Sequence, residues 1–185
     1  GSGHSLSADG RYEKVIDSTI EMLSHTIEFL AQKHQFVQVV VLRGNHDEHS
    51  HIPVKIGLRE RYRNTKNISF PVLNGMEKSE IFWYQHGNSM IAAQHGDKSP
   101  PQRLCMIIAD QCPFWSSTRD RHVYTGHRHS LEIKQFPGVT HHQMQAFCPA
   151  DDYGAMFGGR RALRSETFDK TKGLVTEAIE PIWRE

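Results

Sequence analysis

Between Tyr12 and Lys33 the apolar residues Ile16, Ile20, Leu23, Ile27 and Leu30 return every three or four positions. That is the helical period, and it predicts an amphipathic helix over this span. Phe36–Leu42 (FVQVVVL) is short, β-branched and largely apolar. It predicts a strand buried in a sheet covered on both faces, and a helix followed by such a strand predicts α/β layers. A polar stretch carrying Arg59, Arg61 and Arg63 follows. Alternation then predicts a hairpin, with Ile81–Gln85 and Met90–Gln94 as strands and the turn near Gly87-Asn88. Pro101 opens a helix that runs through Gln111, since proline suits the first helical position. Arg121–His129 (RHVYTGHRH) reads as a short strand ending in a loop. Leu131–Phe136 and His142–Phe147 read as two further strands, with Pro137-Gly138-Val139 turning between them. The Gly-rich run Asp151–Glu166 reads as a loop or excursion, and Leu174–Trp183 as a final strand. No repeat, low-complexity tract or second domain interrupts the pattern.

Bulk composition changes this picture little. The 185 residues are enough for one domain with a real core, and 37% hydrophobic with 23% charged residues suits a globular protein in water. A formal net charge of +1 gives no global pull toward nucleic acid or membrane, and no apolar run is long enough to span a bilayer. The three cysteines (Cys105, Cys112 and Cys148) are odd in number and lack CxxC spacing. They read as buried, inert packing residues in a reducing, cytoplasmic setting. The 13 histidines stand out, because imidazole is both the commonest metal ligand and the natural proton carrier near neutrality.

Position sorts those histidines. Three loops share one design, a short apolar strand running into glycine and histidine: Gly44-Asn45-His46-Asp47, Gln94-His95-Gly96-Asp97 and Gly126-His127-Arg128-His129. In open α/β sheets ligands collect where strand ends meet, and glycine lets the backbone turn sharply there. Imidazole nitrogens with amide or carboxylate oxygens suit divalent zinc, manganese, iron or nickel. Each motif alone is an ordinary turn; their succession behind apolar strands points to a site. His86 repeats the QHG context of His95 but falls at the hairpin turn, so His95 is preferred. His49 and His51 belong to a solvated loop, and His141 and His142 to the surface of a strand or loop. Guanidinium geometry would suit phosphodiester contacts at Arg59–Arg63 and Arg160-Arg161, although a solvated helix face is the preferred reading.

In this order the motifs resemble the calcineurin-like metallophosphoesterase superfamily, whose later motifs are GNH(D/E), an H-G pair and GHxH. The match runs from about Tyr12 to His129. The resemblance implies an α/β sandwich of mixed sheets flanked by helices, and two divalent ions (manganese, zinc, iron or nickel) in the complete family site. It makes Asn45, His95 and His127 ligands of one metal and His129 a ligand of the other. His46 becomes the general acid and Asp47 the residue that orients the loop, with Arg128 the candidate substrate contact. Two such cations can clamp a phosphate, activate water and stabilise the departing oxygen, while a nearby imidazole gives the leaving group its proton. The implied function is metal-dependent phosphodiester hydrolysis, with nucleic acid among the candidate substrates.

The family also opens with D-x-H and G-D motifs, and neither has a counterpart here. Asp9, Asp17, His4, His25 and His34 precede Gly44, but no apolar strand leads into any of them. The expectation is one N-terminally incomplete domain over residues 1–185, whose first strands are absent or supplied by another chain. Such a chain would bind at most one metal well, through Asn45, His95 and His127, and would hydrolyse phosphodiesters poorly. A non-catalytic binding or structural module that retains the fold, and a mononuclear hydrolase, are the alternatives.

Overall fold

Helix α1 covers Tyr12–Lys33, as the periodicity predicts. Its buried stripe is Ile16, Ile20, Leu23, Ile27 and Ala31; Leu30 turns away from it and stays exposed. The computed structural model describes residues 12–47, 49–71, 80–147 and 160–182. The chain divides into two compact units, Gly1–Gly75 and Met76–Glu185.

In the first unit α1 packs on α2 (His51–Arg61), whose last turn carries Arg59 and Arg61, in line with the solvated helix face read there, though its start was not read. Val54 and Leu58 of α2 join Ile27, Tyr62 and Ile68 in one core. Polar contacts fix the pair: the Tyr62 hydroxyl donates to the Ser24 carbonyl (3.2 Å) and to Glu28 (3.0 Å), and Arg61 meets Glu21 at 2.7 Å. The strand expected over Phe36–Leu42 is much shorter. Only Val37–Gln38 (β1) is strand, paired in parallel with Ile68–Ser69 (β2). Val39 still donates its amide to Ser69 at 2.8 Å. Beyond it, residues 40–43 find no ladder partner among the described residues and are half-buried, so they are not enclosed on both faces.

The second unit is built on a five-stranded mixed sheet. Its strands are β3 (Phe82–His86), β4 (Ser89–Gln94), β5 (Asp120–Thr125), β6 (Glu132–Phe136) and β7 (Val139–Gln143). The order is β3-β4-β5-β7-β6; the three inner strands are parallel and the edges antiparallel. The β3–β4 hairpin turns at Gly87 (φ +56°), close to the predicted place. Helix α3 (Pro101–Gln111) also falls where expected, with Pro101 at its first turn. Leu104, Cys105 and Ile108 of α3 pack on Met90, Ala92, Val123 and Val139 of the sheet. Cys105 and Cys112 are free and buried, and burial pushes the Cys105 thiol up to about 11. Cys148 lies outside the described residues.

Two corrections concern the end of the chain. The strand expected over His142–Phe147 is β7, Val139–Gln143, so His141 and His142 are buried inside the sheet, not at its surface. The Gly-rich excursion lies mainly outside the described residues, but from Arg161 it is strand. β8 (Arg161–Asp169) forms a long antiparallel hairpin with β9 (Gly173–Ile182). This hairpin lies against the sheet face opposite α3. Phe168 meets the His122 ring edge-on at 5.2 Å, and Leu174 donates its amide to Asp120 at 3.0 Å. No helix among the described residues is long and apolar enough to cross a membrane.

Candidate functional site

The parallel pairing of β4 with β5 aligns Gln94 with Thr125, so the chain leaves the sheet at His95 and Gly126 side by side. Gly126 donates its amide to the His95 carbonyl at 2.9 Å, which ties the two exits together. Gly96 takes φ +106°, a value that an L side chain seldom adopts. Beyond Gly126, His127 (φ 66°) and His129 (φ 55°) both sit in the left-handed region without being glycine. Backbone held there is costly and gathers at functional sites. The turn brings the His95 and His127 rings edge to face, with centroids 5.2 Å apart.

The other residues of these loops are also placed. Asp97 lies beside Lys98 at 3.1 Å. Burial opposes its ionisation, but Lys98, a backbone amide and the His95 imidazole together hold its carboxyl below the usual value. Arg128 is exposed and donates its amide to the Gly126 carbonyl at 2.8 Å. His129 is exposed as well. His86 ends β3 opposite Ser89, at the far end of the hairpin from His95.

The GNHD loop belongs to the first unit, where it leads into α2. Asp47 closes it: its carboxylate accepts the Gly44 amide at 2.6 Å, and its carbonyl accepts the amides of Ser50 and His51 at 2.9 and 3.0 Å. Asn45 is half-buried and His46 exposed. The donors implied by the motif resemblance are thus divided, Asn45 in the first unit and His95, His127 and His129 in the second. Among the described residues no three His, Cys, Asp or Glu side chains are grouped to hold a metal. Imidazole donors fit a divalent transition ion in kind. In number, one imidazole pair falls short of the roughly four ligands such ions take.

Sequence reasoning missed the polar groups inside the second unit. On the α3 side of the sheet, His141 is fully buried, and its Nε2 lies 2.9 Å from Thr125 Oγ1. Burial lowers its pKa below the ordinary value. On the hairpin side, Asp120, His122 and His142 form a chain. Asp120 Oδ1 to His122 Nε2 and His122 Nδ1 to His142 Nε2 are both 2.9 Å. Burial, followed by the neighbouring His122 and Arg164, pushes His142 down to about 4. Burial opposes a charged Asp120, yet His122, the Ser89 hydroxyl and the Leu174 amide hold its carboxyl below the usual range. Tyr124 stacks on His142 at 4.7 Å and donates its hydroxyl to Glu166, which Arg164 meets at 3.0 Å. Burial and Glu166 raise the Tyr124 phenol. The signal that could have found this chain is the spacing of Asp120, His122 and Tyr124, which puts three titratable groups on one face of a strand.

No family model and no curated protein matches this chain. Among solved structures it is similar to a doubly substituted Vps29 from Entamoeba histolytica, with 13% identity and a TM-score of 0.41 over 98% of this chain and 94% of that one. It is also similar to Vps29 from Chaetomium thermophilum, with 12% identity and a TM-score of 0.38 over 79% of each chain. Similarity of this grade assigns neither an activity nor a residue.

Proposed function

We propose that this chain is a metallophosphoesterase-type module that holds a divalent cation through His95 and His127, engages phosphoesters there, and hydrolyses them slowly on its own. The observation that carries this reading is the edge-to-face pair of imidazoles where two parallel strands end, one of them on left-handed backbone. The motif resemblance also makes Asn45 of the GNHD loop a metal ligand. His129 would serve a second ion if the site were completed by a further segment or another chain. A divalent cation bound by such donors supplies Lewis acidity at a phosphoester oxygen. The chain's own residues then divide the remaining work. Arg128 offers a guanidinium to the phosphate; the motif resemblance gives His46 the part of general acid, and Asp47 keeps the His46 loop closed through Gly44. The proposed substrate is a phosphodiester, nucleic acid being one candidate, and the proposed setting is cytoplasmic.

A second reading has its own support. The His95–His127 pair supplies two imidazoles, fewer than the protein ligands a catalytic ion takes, which favours a module that binds without hydrolysing. One experiment separates the two. The chain, His95→Ala and His46→Ala are titrated with Mn²⁺ by calorimetry and assayed with an aryl phosphodiester. Mn²⁺-dependent turnover that both substitutions lower at least tenfold supports the hydrolase. Binding lost only in His95→Ala, without turnover in any form, supports the binding module. If the unsubstituted chain takes up no Mn²⁺, both readings fail.

A further inference from the structure

The structure assigns a positioning role to Thr125 and His141: a buried hydrogen bond from the third parallel strand holds the last residue of β5, which sets the spacing of His95 and His127. This role refines the metal-binding reading and rests on it. Thr125 immediately precedes Gly126 and His127, and it is 6% exposed. It also backs the other loop, because a Cβ built on Gly96 would lie 3.0 Å from the Thr125 Cβ. One side chain therefore touches the turn after His95 and anchors the turn that carries His127. His141 fixes that side chain from β7 through the 2.9 Å contact with Oγ1.

The identity of residue 141 strengthens the point. His141 is fully buried, and its Nδ1 has no hydrogen-bond partner among the described residues. A buried nitrogen left unsatisfied is costly, so an apolar residue of similar size would serve packing better. The benefit that offsets this cost is the bond to Thr125, whose γ-hydroxyl is otherwise free to rotate. Neither residue reaches a substrate or a cation; both act through the loops.

The test uses the full ¹⁵N-labelled chain and the imidazole resonances of its histidines. Thr125→Val keeps the shape of the side chain and removes the hydroxyl; Thr125→Ser keeps the hydroxyl; His141→Leu removes the partner. Thr125→Val and His141→Leu should each move the His95 and His127 ring signals while His51 and His86 stay in place. Zn²⁺ affinity should fall about tenfold in both, and Thr125→Ser should restore signals and affinity together. Unmoved His95 and His127 signals in Thr125→Val, or a Thr125→Ser spectrum identical to that of Thr125→Val, would overturn the assignment. His141→Leu decides the matter if Thr125→Val does not fold. If Zn²⁺ binds no form of the chain, the metal reading falls, and the ring signals still decide the positioning role.

Discussion

Glycines 138 and 173 separate backbone strain from steric collision at the scale of one methyl group. Both have positive φ, +78° and +85°. A Cβ on Gly138 would meet Arg121 at an ordinary 3.5 Å, whereas one on Gly173 would lie 2.3 Å from Asp120 Oδ2. Gly138→Ala should thus cost only the left-handed penalty, about 1 kcal/mol. Gly173→Ala also displaces the carboxylate that accepts from Ser89, Leu174 and His122, and should cost roughly 3 kcal/mol. Urea unfolding of the two variants measures the difference. Single residues were also where the sequence was hardest to read. His95 and His127 stand in glycine-bearing loops at the ends of β4 and β5, as read, whereas the GNHD loop follows no described strand, since β1 stops at Gln38. His141 and His142 were misread, because a titratable ring normally reads as surface, and only the Thr125, His122 and Tyr124 contacts show what makes their burial tolerable.

At the scale of elements, legibility followed the way each one buries its face. α1 and α3 bury apolar stripes, so the helical period located the first and the opening proline at Pro101 the second. β8 stayed hidden because its inward side chains include Arg164 and Glu166, buried through their ion pair (3.0 Å) and not through an apolar pattern. β7 was displaced in the reading for the same reason, since His141, His142 and Gln143 interrupt the hydrophobic run. α2 was obscured by Pro53 within its first turn and by Arg59 and Arg61 at its end. The strand after α1 was read too long: an apolar run shows that a segment can be covered, not that a neighbour is present to cover it.

The polar interior also gives the hairpin contact a pH dependence. The pKa of His142 falls from 6.5 to about 4 on folding, so between these values the unfolded chain binds the extra proton. Its contribution is therefore complete above pH 6.5 and is lost as the pH falls toward 4, roughly 3 kcal/mol in all. The groups facing it are His122, Tyr124 and Asp120 on β5, His141 on β7 and Arg164 on β8. Asp120, held below 3.8, adds its own loss only in stronger acid. Urea unfolding followed from pH 7 to pH 4 should show a steep fall for the native chain and a shallower one for His142→Gln. Equal slopes would mean that His142 is not the responsible group.

For the molecule as a whole, the two units have separate hydrophobic clusters, one centred on Leu58 and the other on Leu104. Both side chains are fully buried. Leu58→Ala and Leu104→Ala should each cost about 2–5 kcal/mol, with the cavity they leave setting the value. Amide exchange locates the loss: protection should drop in α1 and α2 for the first, and in β4, β5 and α3 for the second.

The β8–β9 hairpin has a further, colloidal consequence. β9 is 10 residues long and pairs only with β8 among the described strands. Val175 and Ile179 are exposed along it. An open strand edge with apolar side chains is a template on which a second copy can build. Glu180 opposes such stacking by like-charge repulsion, Glu177 being paired with Arg164, and Pro181 offers no amide to extend a ladder. A net charge of +1 is too small to keep copies apart in a concentrated solution. This strand edge is therefore guarded locally, by one glutamate and a proline.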